Sequence, residues 1–302
     1  MNIELSDEAI EYGHQASKAF EAAGGDDLVQ QAQSDPSSRG ALITPILDGL
    51  GALDLEPRAD ADQLEAAAAL CRSAGYWAVP YPVAERLSRP TDLDVDGLVV
   101  VAYHPQAAIG GLEDRWAAVD LDGNRSDATP GKPKAAFVAD LELTHLDEQG
   151  TKDLALALAL PVWTLLGMLD RALDLTIAHV SIRKQFGQTL SGFQSVQFQL
   201  TDGEVERSGL EMLARHTLWS IAIDRTAALD DALALRMAAL EAAEVVFRVT
   251  HQLHGASGFC DETTLSWLSR YSQPLRRLPL GLSATRDALT RRIGTAGLAG
   301  IS

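Results

Sequence analysis

The sequence predicts a mainly α-helical fold with a small β segment in its middle. Alanine and leucine are abundant, and aromatic residues make up only 6% of the 302 residues, a composition that favours helix over strand. Long stretches with apolar residues three and four positions apart flank a central stretch of short apolar runs. We therefore expect an N-terminal helical domain over 1–91, a reduced middle β domain over 92–147 and a C-terminal helical bundle over 148–302.

The N-terminal part contains two clear helix patterns. Ser6 is a good N-cap, because two acidic residues follow it in the first turn, and Gly24–Gly25 ends that helix. A second helix is predicted over 60–74, with Gly75 as its end.

The middle part contains short apolar runs at 98–102, 116–119 and 135–138, which predict strands. Turn signals at 122–124 and 130–133 separate them. The segment is too short for an independent sheet domain with a deep pocket.

The C-terminal part contains three long helix patterns, at 152–182, 194–223 and 227–254. Residues 154–160 are apolar on every side, which predicts a helix buried all round, and Pro161 should kink or restart it. Long helices with short connections predict an antiparallel bundle.

Charge and cysteine content exclude several classes of protein. The chain has 25 Lys and Arg against 42 Asp and Glu, a net charge of −17, which opposes binding to nucleic acid and to anionic membranes. Two cysteines, Cys71 and Cys260, form no disulfide framework. The first residues lack the pattern of a signal peptide, and the most apolar run, 154–168, is shorter than the ~18 residues of a membrane span. We expect a soluble cytoplasmic protein in which any anionic ligand meets a local basic cluster.

The first motif that carries chemistry spans 181–197, where one long helix ends and the next begins. Arg183 and Lys184 at a helix C-terminus are explained by the helix dipole, with Gly187 as the cap. The whole string also suits a phosphate, because Arg presents two parallel donors and Gly permits close approach of the backbone. Composition alone leaves both interpretations open.

The second motif spans 252–259 and is followed by Arg270. Its glycines are explained by a helix C-cap, or by a turn whose backbone N–H groups bind an anion while Gln252 offers an amide. Together the two motifs resemble the C-terminal bundle of the acyl-CoA dehydrogenase family over residues 150–275. The residues that carry the resemblance are Arg183, Gln185, Phe186, Gly187, Phe193, Gln194, Gln197, Gln252, Gly255, Gly258 and Arg270.

The resemblance implies an N-terminal helical domain, a middle β domain and a C-terminal four-helix bundle, with FAD as cofactor. It further implies that Arg183 and Gln185 contact the FAD pyrophosphate across a subunit interface and that Phe186 packs on the adenine side. The flavin would belong to the neighbouring subunit. The cofactor-binding residues expected from it are Arg183, Gln185, Phe186, Gln194, Gln252, Gly255 and Ala256.

The sequence departs from the family pattern at the catalytic positions. The two places where the family carries its catalytic Glu correspond to Pro279 and Ala157, and Ala256 replaces the second Gly of the ADP motif. The flavin-facing loop of the family has no counterpart between 98 and 146. The chain thus resembles the non-catalytic subunit of an actinobacterial heteromeric (α2β2) steroid-type acyl-CoA dehydrogenase. A homologous catalytic subunit would be its partner and would hold most of the acyl-CoA.

Other interpretations stay open. The chain could be a cofactor-free structural or regulatory relative, or a self-sufficient dehydrogenase with a displaced base. Acids near helix starts that could replace the base are Asp147, Glu148, Asp261 and Glu262. We expect no metal site, because Glu142 and His145 lack a second such pair, and because His251, His254 and Cys260 lack a fourth ligand.

Overall fold

The computed structural model describes residues 3–296; residues 297–302, the end of the expected C-terminal domain, lie outside the described part. The N-terminal helices are α1 (Asp7–Ala22), α2 (Asp27–Ser34), α3 (Arg39–Gly49), α4 (Ala61–Tyr76) and α5 (Val83–Leu87). The strands that follow are β1 (Gly97–Val100), β2 (Gln106–Ala107), β3 (Trp116–Val119), β4 (Asn124–Pro130) and β5 (Ala139–Gln149). The remaining elements are α6 (Leu154–Ile182), β6 (Lys184–Gln185), β7 (Gln188–Thr189), α7 (Gln194–Ala222), α8 (Ala228–His254), α9 (Thr264–Tyr271), α10 (Gln273–Arg277) and α11 (Leu282–Ala296). The prediction of a mainly helical fold with a small sheet is confirmed.

Capping follows the sequence, but Gly75 has another role. Ser6 caps α1 by accepting a hydrogen bond from the N–H of Ala9 at 3.3 Å, as predicted. Gly75 lies inside α4, so its prediction as a helix end is wrong. A Cβ at Gly75 would lie 1.8 Å from the carbonyl oxygen of Thr164, and one at Gly167 would lie 1.8 Å from that of Arg72. The glycines are there because α4 and α6 touch through their backbones.

The sheet has the strand order β1-β3-β4-β5-β2, with β1 and β3 parallel and the other pairs antiparallel. Two of the three predicted apolar runs form β1 and β3. The run at 135–138 is wrong as a strand, since Ala136 and Phe137 have φ of +52° and +60°. The longest strand, β5, is mostly exposed, and so it lacks the apolar run that would have predicted it.

A buried ionic network joins the sheet to the bundle. Arg125 of β4 and Asp153, at the start of α6, are both fully buried and form a salt bridge. Arg125 also contacts Asp92 at 3.0 Å, and Arg58 reaches Asp153 at 3.0 Å. The network is made of residues from the N-terminal, middle and C-terminal stretches, so it fixes all three against one another.

Helix α6 is the central element of the molecule. Residues 154–160 are all buried, as predicted, and the helix packs against α4, α7 and α8. It runs through Pro161 to Ile182, so no restart occurs there; packing on all sides stabilises the helix. Thr151–Ile182 is long and apolar enough to cross a membrane by composition, contrary to the sequence argument, but 78% of its apolar 18-residue window is buried inside the protein.

Candidate functional site

The first motif forms an exposed hairpin at the end of α6. Helix α6 ends at Ile182, and strands β6 and β7 pair in antiparallel fashion directly after it. Phe186 and Gly187 occupy the turn with φ of +52° and +84°, which are the signs that a type I′ hairpin turn requires. Gly187 is therefore a hairpin residue, and its prediction as a helix cap is wrong.

The side chains of this hairpin face away from the protein. Every residue from 181 to 188 is exposed, and Phe186 is 92% exposed. Its ring meets that of Phe193 edge-on, with centroids 6.4 Å apart. Within residues 3–296 the side chains of Arg183 and Gln185 have no hydrogen-bond or ion-pair partner. A basic residue and an amide without a side-chain partner are thus exposed beside an aromatic ring that is 92% exposed.

The second motif lies at the end of α8. Gly255 caps the helix with φ of +63°, which confirms it as a C-cap. Gln252, Gly255 and Ala256 are exposed, and a Cβ at Gly255 would meet no atom within 4 Å. Gly258 is different, since a Cβ there would lie 3.0 Å from the Cβ of His254. The backbone at Gly255 is open to a ligand, whereas Gly258 is required by packing.

The fold brings the two motifs to the same end of the bundle. His179 on the last turns of α6 stacks on His254 of α8, with ring centroids 4.4 Å apart. Leu190 and Phe193 of the first motif pack in one apolar cluster with Val249 and Leu253 of α8. Burial lowers the pKa of His179, and the nearby His254 and Arg183 lower it further. Gln194 is also exposed on this end, as the first residue of α7.

Arg270 is not free to serve a ligand in the same way. It pairs with Asp261 at 2.7 Å and lies over the ring of Trp267 at 4.4 Å. Of the four acids considered as displaced bases, Asp261 is held in this pair, and all four are exposed; the other three are Asp147, Glu148 and Glu262. Glu142 and His145 lie on strand β5 and not on a helix, and His251 stacks on Phe259.

Both empty base positions line one cavity. Ala157 of α6 and Pro279 lie on the wall of a cavity of about 110 Å³ at the junction of the N-terminal helices, the sheet and the bundle. Glu85 of α5 also lines it; burial raises the pKa of Glu85, against the opposing effect of Arg39. Sequence reasoning missed Glu85, since an acid in a five-residue helix gives no signal of where it points.

Comparison with known proteins agrees with this geometry. Residues 155–279 match the family model described as "Acyl-CoA dehydrogenase, C-terminal domain". This region is an acyl-CoA dehydrogenase C-terminal domain. The chain is also similar to acyl-CoA dehydrogenase FadE28 of Mycobacterium tuberculosis, with 35% identity over 92 residues, which are 30% of this chain and 27% of FadE28. The chain therefore matches only about a quarter of the length of this curated relative.

Solved structures extend the likeness to the whole acyl-CoA dehydrogenase fold. The ChsE4-ChsE5 complex from M. tuberculosis has a chain with TM-score 0.78 and 15% identity, covering 99% of this chain and 100% of that one. A chain of the Tcur3481-Tcur3483 steroid ACAD has a TM-score of 0.76 and 19% identity, and the match covers 96% of this chain and 98% of that one. Butyryl-CoA dehydrogenase from Megasphaera elsdenii has a TM-score of 0.74 and 15% identity, and the match covers 97% of this chain and 100% of that one. At these identities the similarity shows the fold.

Proposed function

We propose that this chain is a subunit of a heteromeric FAD-dependent acyl-CoA dehydrogenase that completes, in trans, the ADP and pyrophosphate part of the cofactor site. The complex would introduce an α,β double bond into an acyl-CoA thioester of the steroid side-chain type. One observation carries the proposal: Arg183 and Gln185, which are exposed and have no side-chain partner within residues 3–296, lie at the same bundle end as the open turn at Gly255.

The residues of this end suit a diphosphate that arrives from another chain. A guanidinium binds phosphate through paired donors, and an aromatic ring offers a stacking surface for adenine; here these are Arg183 and Phe186. Gln185, Gln194 and Gln252 add amide donors, and Gly255 with Ala256 allows approach to the backbone. FAD, when bound, accepts the hydride; the residues of this chain only hold its distal part.

The lack of an acid at both base positions supports a division of labour. Removing the α-proton of a thioester requires a carboxylate within hydrogen-bond reach. Ala157 and Pro279 line the cavity at those positions and carry no titratable group. In the proposal the base, the flavin ring and most of the thioester lie on a homologous partner subunit.

An unpartnered face of α7 supports the association. Phe198, Val205 and Met212 follow one another at intervals of seven residues and are 60%, 63% and 50% exposed. Residues seven apart share one side of a helix, so the three form a continuous apolar stripe, here called the α7 stripe. Large exposed apolar patches are typical of protein interfaces.

Two of the similar structures are named as pairs of different chains, ChsE4-ChsE5 and Tcur3481-Tcur3483, and the second is named a steroid ACAD. Their names favour a heteromer over a homomer and a steroid-type acyl group over a short chain. An α2β2 assembly in the cytoplasm is part of the same proposal.

Co-expression with an adjacent acyl-CoA dehydrogenase gene tests the proposal. We expect the lone chain to purify colourless, and the complex to purify yellow and oxidise an acyl-CoA. A complex that forms without flavin would instead support a structural or regulatory role. A lone chain with stoichiometric FAD and activity would overturn the division of labour.

A second candidate, a self-sufficient dehydrogenase with a displaced base, is favoured by one observation: Glu85 lines the cavity that contains both base positions. Under this reading the lone chain is yellow and active, and Glu85→Gln abolishes turnover while leaving flavin bound.

A further inference from the structure

The cavity of about 110 Å³ that contains Ala157 and Pro279 also contains two arginines. Arg39 and Arg236 are 2% and 3% exposed. Neither forms a salt bridge with any described residue, whereas the other arginine buried to this degree, Arg125, is paired with Asp153. Burying an unpaired charge is costly, so each of the two needs an explanation.

Arg39 is explained by the fold. Its Nε donates to the carbonyl of Pro80 at 2.7 Å, its Nη1 to Gly110 at 2.5 Å and its Nη2 to Ala108 at 2.9 Å. The guanidinium also lies over the ring of Phe137, 4.1 Å from its centroid. Every nitrogen has a partner, and the arginine joins α3 to the loop before α5 and to the loop between β2 and β3.

Arg236 is not fully explained by the fold. Its Nη atoms donate to the carbonyls of Leu275, Leu278 and Leu280 at 3.3, 2.6 and 2.6 Å. Its Nε–H is buried and finds no acceptor within residues 3–296. Burial lowers the pKa of Arg236 to about 10, and no acid opposes this effect although Glu85 lines the same cavity. A charged donor is thus left over on the wall of a cavity.

The rest of the wall is mostly hydrocarbon. Val99 of β1, Leu158 of α6 and Met168 of α6 contribute to it, and no lining residue is exposed. An apolar cavity of about 150 Å³ accommodates benzene, so this one suits an organic ligand of roughly four to six heavy atoms. An inorganic anion would satisfy the charge but leave the hydrocarbon wall uncovered.

We propose that this cavity binds a short aliphatic carboxylate, with the carboxylate on the guanidinium of Arg236 and the alkyl chain along α6. A basin adjoins the cavity, since the two share Gln106, Phe137 and Leu278 on their walls, and in the proposal the ligand enters from this basin. Lys134, Arg270 and Arg277 line this basin. Lys134 is paired with Asp140 and Arg270 with Asp261, so Arg277, which has no ion pair with any described residue, supplies the positive charge that attracts an anion although the chain as a whole carries −17. The inference does not depend on the FAD proposal.

Calorimetric titration of the full-length chain tests it with butyrate, butyramide and inorganic phosphate as probes. Butyramide has nearly the shape of butyrate without its charge, and a hydrogen bond to a charged group is worth about ten- to a hundredfold in affinity. We expect butyrate to bind at least about tenfold more tightly than butyramide or phosphate. Equal binding of butyrate and butyramide, or phosphate binding as tightly as butyrate, would overturn the proposal.

Two variants locate the site. Arg236→Met should remove the preference for butyrate over butyramide, while Arg286→Met, at an exposed arginine of α11, should leave it intact. Because Arg236 also binds three carbonyls, its variant could fail to fold. Ala157→Leu keeps the guanidinium and fills the cavity, so it should weaken butyrate binding at least about tenfold. Unchanged butyrate affinity in folded Ala157→Leu would place the ligand elsewhere and refute the site.

Discussion

The imidazole rings of His179 and His254 stack with centroids 4.4 Å apart and an angle of 22° between their planes. The contact joins the last turns of α6 to the end of α8. His254 Nδ1 also lies 3.0 Å from the carbonyl of Thr250, which fixes the ring on its own helix. The hairpin after α6 and the open turn after α8 are thereby held in one arrangement before any ligand or partner is present.

This stack makes stability depend on pH. Burial lowers the pKa of His179 and of His254, so the unfolded chain binds more protons than the folded one as the pH falls. The stability that the two neutral histidines contribute is fully present above the histidine pKa of the unfolded chain, about 6.5, and is lost as the pH falls below it. We expect the free energy of unfolding, measured by urea denaturation, to be smaller at pH 5.5 than at pH 7.5. His254→Gln should flatten this dependence, and His104→Gln, at an exposed position, should not. An equally steep dependence in His254→Gln would assign the effect to other groups.

Arg183→Ala should lower the flavin content of the co-purified complex without unfolding this chain. The guanidinium has no partner in the described structure, so its loss removes no internal contact. Flavin absorbance relative to protein measures the effect, and Arg286→Ala is the control, since Arg286 is exposed and lies on α11. Full flavin occupancy in Arg183→Ala would remove the assigned role.

A charge in the α7 stripe should weaken assembly. Val205→Glu places a carboxylate in the middle of the stripe, and because Val205 is 63% exposed, the stability of the lone chain should change by no more than about 0.5 kcal/mol. Association with the partner, followed by size-exclusion chromatography, should be at least about tenfold weaker. Ile10→Glu, at an exposed apolar residue of α1, is the matched control. If both variants assemble like the wild type, the partner binds another surface.

The crossing of α4 and α6 should not tolerate a methyl group. Gly75→Ala would place a Cβ 1.8 Å from the carbonyl of Thr164, and the helices must separate, at a cost of about 3 kcal/mol. Gly209→Ala in α7 adds the same methyl group where no atom lies within 4 Å. It should stabilise the chain by about 0.5–1 kcal/mol through helix propensity. Denaturant midpoints of the two variants should therefore shift in opposite directions; a neutral Gly75→Ala would show that the crossing can relax.

Apolar spacing and turn residues were enough to predict the helices of the bundle. The patterns at 152–182, 194–223 and 227–254 agree within a few residues with α6, α7 and α8, because apolar spacing and the flanking turns mark their ends. The sequence pattern did not predict strand β5, because this strand is mostly exposed and is stabilised by pairing with β4. Gly75 was misjudged because its partner, Thr164, lies 89 positions away in the chain.

In the candidate site, too, some residues are predictable from the sequence and others are not. The motif residues at 183–186 and 252–256 carry a recognisable pattern, and their exposure agrees with a role outside the chain. Glu85 and Arg236 have no such pattern. They reach one cavity from α5 and α8, and only the packing of distant elements reveals which charged side chain lacks a counter-charge.

The close backbone contacts of Gly75 with Thr164 and of Gly167 with Arg72 limit which fragments of this protein can fold. A fragment that began near residue 148 would keep α6 but lose α4, so the surface of α6 around Gly167 would be uncovered and Asp170 would lose its ion pair with Arg72. Recombination or truncation at the apparent boundary between the helical parts would therefore yield an insoluble fragment that aggregates. The N-terminal helices pack over the bundle, so any functional variant has to keep both parts.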